Sequence, residues 1–290
     1  MTDKRLLCLG FGYVAGALAA RLRREGWRVA GTARNSEKAR ALCARNVEPV
    51  HWKNGGAGAL EFAAPAAVLV STPPGEKGCP AYAAAERGVA KAAREISWIG
   101  YLSTNGVYGD HDGAWVDESS PLLATSPRAK NRIKAEAQWR DLGAALDIPV
   151  VVFRLPGIYG PGRSALDAVR EGRARRIFKE GQVFSRAHVD DIAAALHASL
   201  SMPHAGELFN ICDDEPAPPQ DVIDYACKLL GVAPPPLTPI ETAQLSPMAK
   251  SFYDDNKRVS NVRMKERLLP TLTYPTYRDG LDAIFAAARG

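Results

Sequence analysis

The chain has 290 residues, 46% of them apolar and 24% charged, with a formal net charge of +5. That length allows one large domain or two modest ones, and that composition excludes disorder, collagen and coiled coil as the main architecture. The positive excess is mild and spread along the chain, which suits a small anionic ligand better than the clustered basic face of a nucleic-acid-binding protein.

Arg5–Leu9 reads as a first strand and runs into a glycine turn. Tyr13–Arg24 has helical spacing, with Val14, Leu18 and Leu22 on one face. Trp27–Thr32 reads as a second strand, Ser36–Ala44 as a helix capped by Asn35, and Val47–Trp52 as a weak third strand. Ala66–Ser71 is apolar almost throughout, as a strand buried on both faces requires. The Ala-rich Tyr82–Ile96 reads as a helix and Trp98–Ser103 as the next strand. Ala129–Leu146 is a long helix ending before Ile148-Pro149, and Val150–Leu155 is another buried strand. Asp190–Leu200 is helical and Leu208–Ile211 strand-like. Strands alternating with helices predict an α/β protein, a Rossmann-type doubly wound parallel sheet. After Cys212, prolines at 216, 218, 219 and 234–236 punctuate short helices such as Val222–Leu230, and Tyr274–Arg289 reads as a terminal helix. The expected division is a dinucleotide-binding domain over 1–212 and a small, mostly helical substrate domain over 213–290. The insert at about 161–183 is expected to contribute to the substrate cleft.

The first turn reads Gly10-Phe11-Gly12-Tyr13-Val14-Ala15, a GxGxxA pattern between a strand and a helix. Gly10 permits a tight turn, Gly12 lets the backbone approach a pyrophosphate, and Ala15 lets the helix pack on the strand. The pyrophosphate then meets the free N–H groups at the helix N-terminus. A second strand about twenty residues on supplies the context that gives this short pattern meaning. An NAD site wants an acid at the end of that second strand, for the ribose 2′-hydroxyl. Here the strand ends Val29-Ala30-Gly31-Thr32-Ala33-Arg34, with Lys38 a turn further on. Thr32 can donate a hydrogen bond to a 2′-phosphate and Arg34 can pair with it, so NADP is expected, with NAD as the alternative. Ser71, Thr72 and Pro73, with Ser103, Arg132 and Leu155, complete the candidate cofactor set; all but Arg132 lie near strand ends.

Several stretches resemble the extended short-chain dehydrogenase/reductases, and among them the NAD-dependent epimerase/dehydratase family. They are the glycine turn, Leu102-Ser-Thr-Asn-Gly-Val-Tyr-Gly-Asp110, Arg154-Leu-Pro-Gly-Ile-Tyr-Gly-Pro-Gly162, Phe184-Ser-Arg-Ala-His-Val-Asp-Asp191 and Gly206-Glu-Leu-Phe-Asn-Ile211. The resemblance covers most of the chain up to about residue 231. It implies a Ser or Thr at the end of the fifth strand that bonds the substrate oxygen, and Thr104 fits that role. It also implies a Tyr-x-x-x-Lys pair on the following helix. Anchored on Glu136, that helix has Arg128 at the tyrosine position and Arg132 at the lysine position. Arg128 cannot act as a general acid or base, because arginine keeps its proton at any cellular pH. Arg132 can still supply the charge and ribose contact of the missing lysine. The chain is in this respect similar to the atypical branch of the family that lacks the tyrosine. Tyr-x-x-x-Lys occurs only at Tyr253 and Lys257, in the C-terminal region. The sugar 4,6-dehydratases of the family have Thr-Asp-Glu where this chain has Thr104-Asn105-Gly106, and neither residue moves a proton, which argues against dehydration.

Tyr108 and His111 are the candidates for the missing proton carrier, Tyr108 for its phenol and His111 for its imidazole, the side chain type most often used in acid–base work. His188-Val189-Asp190-Asp191 reads as the start of a helix capped by an Asp. Arg163, Arg170, Arg173, Arg175, Arg176 and Lys179 crowd the insert, where the resemblance places the border of the substrate cleft. Such a cluster binds a phosphate or carboxylate, or is a solvated basic face. Five cysteines without CxxC spacing and five histidines without HExxH argue against disulfides and against a metal site. No apolar run approaches the roughly 18 residues of a membrane span, and the N-terminal run lacks a cleavage site, so a cytoplasmic chain without a membrane partner is expected. These readings describe an NADP-dependent oxidoreductase or epimerase-like enzyme. Its substrate would be a small, anionic hydroxyl or carbonyl compound, with phosphorylated compounds and nucleotide sugars among the candidates. The alternative is an NADP(H)-binding sensor or scaffold without turnover. The resemblance further implies a homodimer formed through the helices at Tyr82–Ile96 and Ala129–Leu146.

Overall fold

A computed structural model describes residues 4–52, 59–201 and 207–289. The first elements are β1 (Arg5–Leu9), α1 (Tyr13–Arg23), β2 (Arg28–Ala33), α2 (Ser36–Cys43), β3 (Glu48–His51), β4 (Ala67–Val70) and α3 (Pro80–Lys91). There follow β5 (Trp98–Thr104), a single 3-10 turn at Asn105–Tyr108, β6 (Trp115–Val116), α4 (Pro127–Leu146), β7 (Val150–Leu155) and β8 (Gly157–Tyr159). Next come α5 (Ala165–Arg170), β9 (Arg176–Phe178), β10 (Arg186–His188), α6 (Val189–Ser201) and β11 (Leu208–Asn210). The chain ends with α7 (Pro219–Leu230), β12 (Leu237–Pro239), α8 (Pro247–Ser251), β13 (Arg258–Val259), α9 (Val262–Arg267) and α10 (Tyr277–Ala287).

Seven strands form one parallel sheet in the order β11-β7-β5-β4-β1-β2-β3. The order reverses direction beside β1, because the chain first builds outward through β2 and β3 and then crosses to β4 on the other side. Such a switch point opens a crevice at the carboxyl ends of the strands, and the glycine turn leaves β1 there. The strands are apolar because both faces are covered: every residue of β1, β4 and β7 is buried, Arg5 and Arg154 included.

The helix ends follow local chemistry. Asn35 caps α2 by accepting from the Lys38 N–H at 2.8 Å, as its place in the sequence predicts. α4 begins at Pro127, behind a Ser126 cap, two residues before the predicted start, because proline fits the first turn where no N–H is needed. α7 likewise starts at Pro219 and not at Val222. α10 starts at Tyr277 behind a Thr276–Asp279 capping box and not at Tyr274, and α3 stops at Lys91, before the predicted Ile96.

The chain divides into two compact units. The first comprises residues 1–107, 125–154 and 193–209, and the second 108–124, 155–192 and 210–290. The first unit buries Leu7, Leu9, Val68, Val70, Tyr101 and Val152 of the sheet together with Trp139 of α4. The second buries Tyr159, Leu166, Val222, Ala226, Tyr277 and Leu281. Three pairs of short parallel strands also lie in the second unit: β8 with β10, β9 with β12, and β6 with β13.

Candidate functional site

In the first unit the end of β1 turns at Gly10 with φ +90° and enters α1 at Tyr13. Three side chains brace this turn. Gly10 N–H donates to Thr32 Oγ1 at 2.8 Å, Ser71 Oγ donates to the Gly10 carbonyl at 2.9 Å, and Thr72 Oγ1 donates to the Leu9 carbonyl at 2.8 Å. Lys38 Nζ reaches back from α2 to the Phe11 carbonyl at 2.9 Å. Thr32 is buried and therefore acts first on the turn; its hydroxyl oxygen is occupied by the Gly10 N–H. Gly12 is the N-cap of α1 and has no side-chain cap, and a Cβ added there meets nothing within 4 Å. The helix N-terminus is thus left with open N–H groups and open space beside them, which fits a pyrophosphate.

A cleft of about 660 Å³ lies at this turn. Gly10, Phe11 and Gly12 form one wall, Thr32 and Arg34 line the end of β2, and Ser71, Thr72 and Pro73 follow β4. Tyr13 is half-buried, and Val14 and Ala15 are buried where α1 packs on the sheet. Arg34 is exposed. Glu37 and Lys38, from the first turn of α2, line the same cleft, as does Trp52. Glu37 and Trp52 are additions to the sequence-derived set. Glu37 was legible as the first-turn acid of a capped helix, whereas nothing local to Trp52 points into a cleft 40 residues back along the chain.

Beyond β4 in the sheet of the first unit stand β5 and, packed on it, α4. Thr104 ends β5; its Oγ1 accepts from the Gly106 N–H at 3.2 Å, which leaves the hydroxyl hydrogen for another partner. Arg132 stands beside β5 and donates to the Leu102 carbonyl at 2.9 Å and to the Tyr101 hydroxyl at 3.3 Å. Its guanidinium lies over the Tyr101 ring, 5.8 Å from the centroid. Tyr101 is fully buried, and burial raises its pKa against the pull of Arg132. Arg128 is exposed in the first turn of α4. Ser103 points away from the cleft: it is buried and donates to Glu136, which also pairs with Arg154 at 2.9 Å. That bond gives Ser103 a place in the core of the first unit.

Tyr108 and Leu155 belong to the second unit. Tyr108 is fully buried, and its hydroxyl donates to Asn210 Oδ1 at 2.8 Å. Asn210 N–H in turn donates to Glu118, whose pKa burial raises. A phenol placed in that way ties the 3-10 turn to β11. Leu155 is buried at the end of β7. His111 is half-buried with Nε2 3.3 Å from the Pro121 carbonyl. His188 is buried, accepts from the Asp190 N–H at 3.2 Å, and has its pKa lowered by burial against the pull of Asp190 and Asp191. Tyr253 lies outside any helix, and Lys257 Nζ donates to the Gly109 carbonyl at 2.6 Å. Among the described residues no cluster of His, Cys, Asp and Glu could hold a metal ion, and no helix is long and apolar enough to cross a membrane.

The sequence model of the NAD dependent epimerase/dehydratase family matches residues 7–212. The chain belongs to this family. A 3-diazoavenalumate denitrifying reductase from Streptomyces is 31% identical over 179 residues, which are 57% of this chain and 58% of the reductase. This epimerase/dehydratase-family chain therefore matches little more than half the length of that relative. A conserved protein of unknown function from Silicibacter pomeroyi has a solved structure that superimposes with a TM-score of 0.91 at 47% identity, covering 99% of this chain and all of that one. The dTDP-glucose 4,6-dehydratase of Bacillus anthracis, solved in complex with NAD, superimposes with a TM-score of 0.78 at 17% identity, covering 99% of this chain and 96% of that one. At that identity the likeness is one of fold.

Proposed function

We propose that the protein is an NADP-dependent oxidoreductase or epimerase-like enzyme of the short-chain dehydrogenase/reductase type, acting in the cytoplasm on a small, anionic hydroxyl or carbonyl compound. The observation that carries this reading is the cleft at the glycine turn, where Arg34 and Lys38 stand on the wall at the end of β2 and the strand itself supplies no acid. NAD is the alternative, and Glu37 on the same wall is the group that favours it. The nicotinamide cofactor supplies hydride transfer when bound. The chain's own residues bind, orient and exclude. Gly10 to Ala15 hold the pyrophosphate, Arg34 pairs with the 2′-phosphate, and Ser71 to Pro73 close the cleft. Arg132 holds positive charge beside β5, and Thr104 turns its hydroxyl hydrogen to the substrate oxygen. Residues 213–290, with 161–183, form the substrate side. The resemblance to the family assigns a homodimer contact to α3 and α4.

Fluorescence titration with NADPH and with NADH tests the cofactor reading. The expected result is tighter binding of NADPH, with the preference reduced at least tenfold in Arg34→Ala. Binding of neither nucleotide would overturn it.

A sensor without turnover is the second reading, favoured by the exposed Arg128 at the tyrosine position and by Tyr108 being buried on Asn210. Hydride exchange separates the two. An enzyme transfers hydride stereospecifically from NADPH to a carbonyl substrate, and Thr104→Val lowers that rate at least a hundredfold. A sensor exchanges nothing, and its distinction between oxidised and reduced cofactor is indifferent to Thr104→Val.

A further inference from the structure

The second unit has a half-open cavity of about 220 Å³ of its own. Arg163, Arg186 and Tyr159 line it together with the apolar Val222, Ile223 and Leu281. Arg186 sits on β10, and its Nη1 donates to the carbonyls of Phe184 at 2.8 Å and Ala217 at 3.0 Å. Those two bonds fix the plane of the guanidinium. Its Nε and Nη2 find no acceptor among the described residues. The other polar groups on the wall are committed elsewhere. Tyr159 hydroxyl donates to the Thr276 carbonyl at 3.3 Å, and Ser164 Oγ donates to Asp167 at 2.6 Å.

The acid that acts most strongly on the arginine, Asp213, makes no ion pair with it among the described contacts. Asp213 is buried, and neither carboxyl oxygen makes a hydrogen bond of ordinary geometry. Burial pushes its pKa up to about 8, against the pull of Arg186 and of the backbone N–H groups of Glu215 and Arg186. At neutral pH this acid holds its proton for most of the time. Burial also lowers the pKa of Arg186, yet a guanidinium stays charged at any cellular pH. A half-buried guanidinium fixed by two carbonyls, with two further donors beside a pocket, is arranged to receive an anion.

We propose that this cavity is a subsite for the carboxylate of a small, partly apolar substrate, received bidentately by Nε and Nη2 of Arg186. A planar fork matches a carboxylate, and the apolar walls suit a short hydrocarbon or ring beside it. The volume is below the roughly 300–1,000 Å³ that a drug-sized ligand occupies, so a nucleoside diphosphate does not fit this cavity. As a substrate subsite the proposal rests on the oxidoreductase reading; as an anion site it stands alone.

Titration calorimetry on the full chain, without nicotinamide cofactor and at constant ionic strength, tests it with benzoate and inorganic phosphate. The expected result is saturable benzoate binding at least tenfold tighter than phosphate binding. Arg186→Met should weaken it at least tenfold and Arg186→Lys, which keeps the charge and loses the fork, severalfold. Val222→Phe keeps both arginines, narrows the cavity and should weaken binding as well, which carries the test if Arg186→Met does not fold. No saturable benzoate binding, phosphate bound as tightly as benzoate, or an affinity unchanged in all three variants would each overturn the proposal. Since no nicotinamide is present, failure here leaves the NADPH titration untouched, and failure there leaves this one.

Discussion

At Gly10 the backbone has φ +90°, and a Cβ would stand 2.8 Å from Ser71 Oγ and 2.9 Å from Thr72 Oγ1. Two residues on, Gly12 has φ −107°, which any residue adopts, and open space where its side chain would be. The first glycine is required by the protein's own backbone and packing, and the second by neither, so that only the proposed pyrophosphate would call for it. Substitution separates the two requirements. Gly10→Ala should cost about 1–3 kcal/mol of stability through strain and crowding, read as a lower melting temperature. Gly12→Asp should leave the melting temperature unchanged or raise it, because Asp is among the best N-caps and complements the helix dipole. On the proposed placement of the pyrophosphate, the same carboxylate takes its position and repels it, so NADPH affinity should fall at least a hundredfold. A Gly12→Asp protein that binds NADPH as the wild type does would remove the pyrophosphate from this turn.

The elements divide into those that local sequence specifies and those that it does not. β1, β4, β5 and β7 were legible because a strand covered on both faces is a mostly apolar run, and α1 was legible because Val14, Leu18 and Leu22 recur at helical spacing. The glycine turn was legible for the same reason: its whole logic lies in six consecutive residues. β6 and β13 were not. Trp115-Val116 and Arg258-Val259 are strands only through each other, across more than 140 residues of chain. The braces of the site failed in the same way, since Thr32 to Gly10 and Lys38 to Phe11 are contacts between elements. Glu136 is the clearest case. In sequence it is an acid on a polar helix, and in the structure it is buried with Arg154 and Ser103 as partners. A buried carboxylate is tolerated when it is paired and hydrogen-bonded, and the pairing residues come from two different strands. Ser103 is the partner from β5, and its bond to a helix residue 33 positions on is not written in the strand itself.

At the scale of the whole molecule, the chain passes between its two compact units five times, at 107/108, 124/125, 154/155, 192/193 and 209/210. A division at 212/213 and this interleaved arrangement predict different fates for a chain that ends at residue 212. If 1–212 were self-sufficient, the shortened chain would melt cooperatively and bind NADPH. The packing of the second unit predicts otherwise. Tyr159 and Leu166 are buried against Val222, Ala226, Tyr277 and Leu281, all of which the truncation removes. β6 and β9 lose β13 and β12, their strand partners among the described residues, and regain open backbone edges. Re-exposing Leu166 alone costs about 1.5–3 kcal/mol, a sizeable share of an ordinary folding free energy. The expected outcome for 1–212 is strong binding of a hydrophobic fluorescent dye and no sharp thermal transition, whereas the full chain melts cooperatively and binds the dye weakly. Amide hydrogen exchange on the shortened chain locates the damage: protection should vanish first in 155–192, the segment whose partners are gone, and persist longest in β1, β4 and β5. Retention of full protection over 155–192 would mean that this segment folds without the C-terminal helices, and the boundary at 212 would then be a true domain limit.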